Sequence, residues 1–343
     1  MSFTPISQIG EFGLIERLTE RLGPVDDEAA VRDLVQGIGD DAAVVRTDGK
    51  NVQVISTDAL IEGVHFDRTF MPMRALGNKA IAVNVSDICA MNAKARWATV
   101  SLGLPENVSA EHLDQLYDGI AGACNRYGVT VIGGDTTSAQ RLTISITVIG
   151  EAHEGAVTYR RGARPDDMLC VTGPLGAAYA GLRVLLAEKE NFGKTDQQPD
   201  LSPYAFPVER QLAPRARVEI IDAFREAGVV PRAMIDISDG LASEVTHLCT
   251  ASSTGAVVEA GMLPVHAQTV MAMAKVEEPP ERAALYGGED YELLFAAPQE
   301  DLDKLPPNSF AVVGRFTEPE FGIHLLRPDG STEPLDPQGF RHF

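Results

Sequence analysis

GIGDDAAVV, residues 37–45, sets two carboxylates, Asp40 and Asp41, between glycines and an apolar run. Two readings compete for it. Gly37, Gly39 and Ala42 trace the G-x-G-x-x-A spacing of a dinucleotide-binding turn, where a strand leads into a helix whose N-terminus holds pyrophosphate. Alternatively, the aspartates belong to a set of acids spread through the chain, and the glycines merely bend the backbone. The preceding VRDLVQ (31–36) reads as a helix end rather than a strand, and paired carboxylates repel a pyrophosphate unless a metal intervenes. The acid reading is preferred, and it requires partners elsewhere.

Those partners recur beside small polar or glycine residues. Asp58 closes the strand-like VQVISTD, Asp87 lies in NVSDI, Asp135 closes VTVIGGD, and Asp236 and Asp239 sit in IDISDG. Glu289 and Asp290 follow the glycine pair of GGEDYE. Taken singly, each is at home as a turn or helix cap. Collectively they resemble the ligand-gathering ends of strands in open α/β sheets. Two carboxylates about 4 Å apart repel by roughly 4 kcal/mol at an effective dielectric of 20, so such a cluster calls for cations. Hard oxygen donors without His or Cys select Mg²⁺, Mn²⁺ or Ca²⁺, and Mg²⁺ keeps positions open for substrate phosphates. The chemistry expected is metal-assisted phosphoryl transfer.

Bulk properties agree. A chain of 343 residues with 44% hydrophobic content is long enough for two domains. Its 29 basic and 49 acidic residues give a net charge of −20, and no Lys/Arg-rich run offers a nucleic-acid surface. The cysteines Cys89, Cys124, Cys170 and Cys249 lack zinc or redox spacing, which fits a reducing compartment. No targeting segment is expected in MSFTPISQIGEFGLIERL, and no apolar run approaches the roughly 18 residues of a membrane span. The expected location is the cytoplasm. A P-loop, a G-x-S-x-G elbow and a catalytic triad are all absent from the sequence. Arg160, Arg161 and Arg164 in TYRRGARPDD are the cations available to a phosphate, and His65 follows the Asp58 turn closely enough to touch a substrate.

Periodicity divides the chain into two rounds of strands and helices, giving an α/β (α+β) protein with domains over 1–150 and 151–343. The first contains the helical FGLIERLTERL, a long buried helix over RALGNKAIAVNVSDICAMNA, and a helix from Ser109 to Gly128. The second alternates DMLCVTG, AMIDIS, GAVVEA, YELLFAA, FAVVGRF and GIHLLRP with helices. Within the second, residues 192–216 are polar and proline-bearing and read as a flexible or functional loop.

GIGDDAAVV, STDALIEGVHF, KAIAVNVSDICAMNA, IGGDTT, IDISDGL and GGEDYELLF occur in the order and spacing of the thiamine-monophosphate kinase family, which the chain resembles from about Glu11 to its end. The resemblance implies an aminoimidazole-ribonucleotide-synthetase-like fold: an N-terminal mixed sheet with helices for ATP/Mg binding and dimerisation, and a C-terminal α/β domain completing the site. It implies transfer of the γ-phosphoryl group of ATP to thiamine monophosphate by a homodimer, with several Mg²⁺ ions. By motif, Asp41, Ser56, Thr57, Asp58, Asp87, Asp135, Asp236 and Asp239 resemble the metal ligands. Gly134, Asp135, Arg160 and Ser238 resemble ATP contacts, and His65, Glu289 and Phe340 substrate contacts. Tyr179, Trp97 and Phe340 are the aromatics weighed for stacking on thiamine. Selenophosphate synthetases and the hydrogenase-maturation carbamoyl dehydratase share the superfamily but use cysteines that this sequence lacks near either end. A non-catalytic sensor would be expected to have lost some of the acids, and all are present.

Overall fold

The computed structural model describes residues 4–22 and 28–337, so Phe340 lies outside the described residues. Helices α1 (Gly10–Leu22) and α2 (Glu28–Asp33) precede the first sheet. Its early strands are β1 (Leu34–Gln36), β2 (Ala43–Asp48) and β3 (Asn51–Ile61). Helix α3 (Met73–Ala90), β4 (Lys94–Leu104), α4 (Ala110–Tyr127), β5 (Thr130–Ser138) and β6 (Thr143–His153) follow. The sheet order is β1-β2-β3-β6-β4-β5, antiparallel except for the parallel β4–β5 edge.

The later chain supplies β7 (Met168–Val171), α5 (Ala177–Thr195), α6 (Ala205–Leu212), α7 (Val218–Ala227), β8 (Ala233–Asp236) and α8 (Leu241–Ser252). Then come β9 (Gly255–Glu259), α9 (Ala267–Lys275), α10 (Pro280–Tyr286), β10 (Leu293–Ala297), α11 (Gln299–Leu302), β11 (Ala311–Thr317), β12 (Ile323–Leu326) and β13 (Thr332–Pro334). The second sheet runs β13-β12-β9-β11-β7-β10-β8, with only β9–β12 parallel.

Helix α3 is what joins the halves. A helix apolar nearly all round must be buried on every side, and Leu76, Ile81, Val85 and Ile88 are fully enclosed. One hydrophobic cluster runs from Val54 and Ile146 of the first sheet, through Ile81 and Ile88, to Met234 and Phe295 of the second. Gly77 and Gly119 let α3 and α4 touch backbone to backbone: a Cβ on Gly77 would lie 2.0 Å from the carbonyl of Leu116. Ser109 caps α4 by accepting from the His112 N–H, and Gly128 ends it at φ +69°, as its sequence announces.

Among the described residues, α3 packs against one face of the first sheet, and the other is more exposed. Ser101 and all of β5 are exposed there or along the edge, including Val131 and Ile132. No described helix is long and apolar enough to cross a membrane.

Several expectations are corrected. VRDLVQ holds both a helix end and a three-residue strand, β1, so a strand does precede Gly37. The dinucleotide turn still fails, because the chain after Ala42 enters strand β2 rather than a helix. Asp58 and Asp135 sit within strands rather than at their ends, since pairing continues to Ile61 and Ser138. The stretch 192–216 is not one loop: it contains the end of α5 and all of α6.

Candidate active site

The geometry follows from where α3 lies. Its C-terminal half points polar side chains at both sheets at once. Asn84 Oδ1 accepts the backbone N–H of Asp58 at 3.0 Å, Ser86 Oγ donates to Asp236 Oδ2 at 2.6 Å, and Asp87 Oδ2 accepts from Ser56 Oγ. Asp58 of β3, Asp87 of α3 and Asp236 at the end of β8 are thereby drawn together. Asp41, in the turn before β2, joins them and is held by Arg160, whose Nη2 and Nε donate to Asp41 Oδ1 at 2.5 and 3.2 Å. The Arg160 backbone N–H reaches both oxygens of Asp40 at 3.3 Å.

These acids line an open cleft of about 1150 Å³ between the sheets. Of the residues singled out from sequence, Asp41, Ser56, Thr57, Asp58, His65, Asp87, Arg160, Asp236, Ser238, Asp239 and Glu289 all line it, as does Tyr179. Gly134, Asp135, Arg161, Arg164 and Trp97 do not. Arg161 donates to Gln36 and lies over the Tyr159 ring. Gly134 shares a cross-sheet row with Asp58, through Val100 and Ile146. Three strand spacings of about 4.8 Å put it roughly 14 Å away. Asp135, one residue on, stands opposite Ser101 on the more exposed face, so no single ion bridges it to Asp58 within one chain.

Burial and crowding act on the carboxyls together. Burial, then Asp58, Asp236 and Asp41, pushes Asp87 well above the usual carboxylate range. Burial, then the charge of Asp41, raises Asp236 to about 8. Asp40 rises to about 6, from burial and then Asp41. Asp41 is also raised by burial, against the pull of Arg160, and its Oδ2 is buried with no hydrogen-bond partner. An orphaned acceptor among mutually repelling acids is what a cation site leaves when the protein's own groups are counted alone. Among the described residues no three His, Cys, Asp or Glu side chains enclose an ion by themselves. The hard carboxylate oxygens gathered here are the donor chemistry that suits Mg²⁺.

The opposite wall is the GGEDYE segment. Glu289 N–H donates to the Ser238 carbonyl at 2.7 Å and Tyr291 N–H to the Ile237 carbonyl at 2.9 Å, so this segment and ISDG run side by side. Their contact is too close for a side chain at Gly288, whose Cβ would sit 2.5 Å from the Ser238 oxygen. Asp290 is wholly buried and accepts the N–H groups of Gly176 and Ala178 at the start of α5. Glu292, also wholly buried, pairs with Arg210 at 2.7 Å and with Arg217. Both acids are scaffold rather than ligands.

Sequence reasoning missed Lys79, Asn84, Ser86, Glu244, His247 and Tyr291. Glu244, 2% exposed, accepts the Asp239 N–H at 2.9 Å and so shapes the ISDG turn. His247 lines the cleft, and burial, then Arg160, lowers it to about 4. The available signal was polar residues inside an otherwise apolar helix, which a reading based on hydrophobic runs passes over.

Comparison with known proteins fits this geometry. Residues 39–152 match the family described as AIR synthase related protein, N-terminal domain. The thiamine-monophosphate kinase of Aquifex aeolicus is 35% identical over 339 residues, 98% of this chain and 99% of that protein. That of Bacillus subtilis is 32% identical, across 90% of this chain and 93% of its own length. The chain belongs to the thiamine-monophosphate kinase family. Among solved structures, AaThiL complexed with AMPPCP and TMP superposes with a TM-score of 0.84 at 33% identity, covering 100% of both chains. The two-sheet arrangement is thus that of thiamine-monophosphate kinases. Structures of hydrogenase maturation protein HypE, at 18% identity and a TM-score of 0.68, share the fold.

The crowding has a measurable consequence. The folded-state value of Asp236 exceeds its ordinary 3.8, so the folded protein holds the extra proton between those values. Without divalent cations, stability is lost as pH rises towards about 8, by up to about 1.4 kcal/mol per pH unit from this group. Asp236→Asn should therefore be near neutral at pH 4 and clearly more stable than wild type at pH 8.5, measured by urea denaturation in chelator. An equal difference at both pH values would contradict the assignment.

Proposed function

We propose that this protein transfers the γ-phosphoryl group of ATP to thiamine monophosphate, giving thiamine diphosphate and ADP. The observation that carries the reading is the convergence of Asp41, Asp58, Asp87 and Asp236 on one cleft that also holds Arg160, His65 and Glu289.

Asp41, Ser56, Thr57, Asp58, Asp87, Asp236 and Asp239 would hold Mg²⁺ ions at the nucleotide end. Bound there, Mg²⁺ neutralises phosphate charge and aligns donor and acceptor. Arg160, already tied to Asp41, stands where its guanidinium can meet a phosphate, and Ser238 edges the same turn. His65 and Glu289 would meet the substrate, with Tyr179 one of several aromatics that line the cleft. His65 is itself oriented, accepting the Ile61 N–H through Nδ1 at 3.0 Å. The acceptor is an anionic phosphate, so no side chain need remove a proton from it. The protein's own contribution is alignment and charge placement. This accounts for a kinase cleft without a Walker lysine.

We place the domain boundary just past residue 150, where β6 ends at His153, and the protein in the cytoplasm, where its four buried free cysteines stay reduced. We also propose that the more exposed face and β5 edge of the first sheet meet a second copy. An edge nine residues long with exposed Val131 and Ile132 is a template for pairing. Gly134 and Asp135 would then serve the nucleotide at that junction.

Incubation with ATP, Mg²⁺ and thiamine monophosphate should yield thiamine diphosphate, read by fluorescence after oxidation. Asp58→Asn and Asp87→Asn should lose at least about 10³-fold in kcat with unchanged circular dichroism. Activity near wild type in either at saturating Mg²⁺ would refute the metal assignment, and nucleotide binding without product would indicate a sensor. Sedimentation equilibrium at micromolar concentration should give a dimer; a monomer would overturn the pairing of the β5 edge.

A further inference from the structure

Lys79 is among the largest fully buried side chains of the described residues, and it is a lysine. Burying an ammonium is costly unless it is paired. Its partner is Glu289: Nζ lies 2.8 Å from Oε1, and the other oxygen, Oε2, accepts from Gln211 Nε2 at 2.8 Å. Lys79 Nζ also reaches the Gln211 carbonyl at 3.5 Å. A helix packed on the first sheet thus grips a carboxylate carried by the loop before β10 of the second.

The pair is not needed to hold the loop. The Glu289 and Tyr291 N–H groups already bond the ISDG segment, Asp290 caps α5, and Glu292 is locked by two arginines. What Lys79 determines is where the Glu289 carboxylate points. That side chain remains 26% exposed and lines the cleft, so without the ammonium it can swing. The same helix carries Asp87, eight residues further on. At 1.5 Å per residue, the two lie about 12 Å apart along the axis. One rigid element therefore spaces the metal-binding end of the cleft from the carboxylate at its other end.

We propose that Lys79 is a positioning residue that sets the Glu289 carboxylate for thiamine monophosphate, with α3 as the spacer between acceptor and nucleotide sites. This rests on Glu289 being a substrate contact. A staple between the two sheets is the competing role, and it would affect both substrates alike.

The test is a double-mutant cycle on Lys79→Met and Glu289→Gln, following KM for each substrate separately. The expected result is a rise of about tenfold in KM for thiamine monophosphate in either single variant. KM for ATP should stay within about twofold, and the double variant should be little worse than either single. Lys79→Gln, which keeps a donor without the charge, should fall between wild type and Lys79→Met. If Lys79→Met does not fold, Lys79→Gln decides by the same selectivity for one substrate. A KM for thiamine monophosphate raised by Glu289→Gln but untouched at Lys79 would overturn the inference and leave the Glu289 contact standing. Equal rises for both substrates, multiplying in the double variant, would make Lys79 a staple only. No effect from Glu289→Gln would remove the contact itself, and the inference with it.

Discussion

Carboxylates confined in a protein interior repel one another, and that repulsion is the constraint around which this chain is organised. Asp236 is buried, Asp41 and Asp87 are partly buried, and each is raised above the ordinary carboxylate range. Arg160 offsets the cluster with a direct ion pair to Asp41. A fold does not retain such a cluster for stability, because apolar replacements cost less. The remaining charge deficit is the feature that a cation bound with a polyphosphate would satisfy, and it makes the cleft receptive to nucleotide.

Everything else in the architecture serves to hold those acids in place. Helix α3 is buried on all sides so that it can contact both sheets, and glycines at its crossing with α4 let it lie deep. From that position Asn84 and Ser86 aim Asp58 and Asp236, while Asp87 projects directly into the cleft. A second tier of buried charges, Asp290 and Glu292 with Arg210 and Arg217, fixes the GGEDYE wall. The site is thus supported on rigid elements rather than on loops, as phosphoryl transfer by alignment requires.

Much of this was legible in the sequence. The acids, the long buried helix and the capped α4 could be read from residue types and spacing. What stayed hidden had specific causes. Helix α6 buries Pro207, Val208, Arg210 and Gln211, a face too polar to show hydrophobic periodicity, so the segment resembled a loop. Strand β1 is three residues long and pairs only with β2, which leaves no alternation to detect. Asp58 and Asp135 looked like strand ends because small polar residues surround them, whereas the ladder beyond each is completed by tertiary pairing. Lys79 and Glu244 owe their burial to elements distant in sequence, so only their place in apolar helices marked them.

The most direct measurement is calorimetric titration with a non-hydrolysable ATP analogue, with and without Mg²⁺, in buffers of differing ionisation enthalpy. The account predicts that nucleotide binds only with Mg²⁺ and that binding releases protons near pH 7, because raised carboxyls must ionise to share the ions. Nucleotide binding of equal strength in chelator, with no proton release, would contradict it.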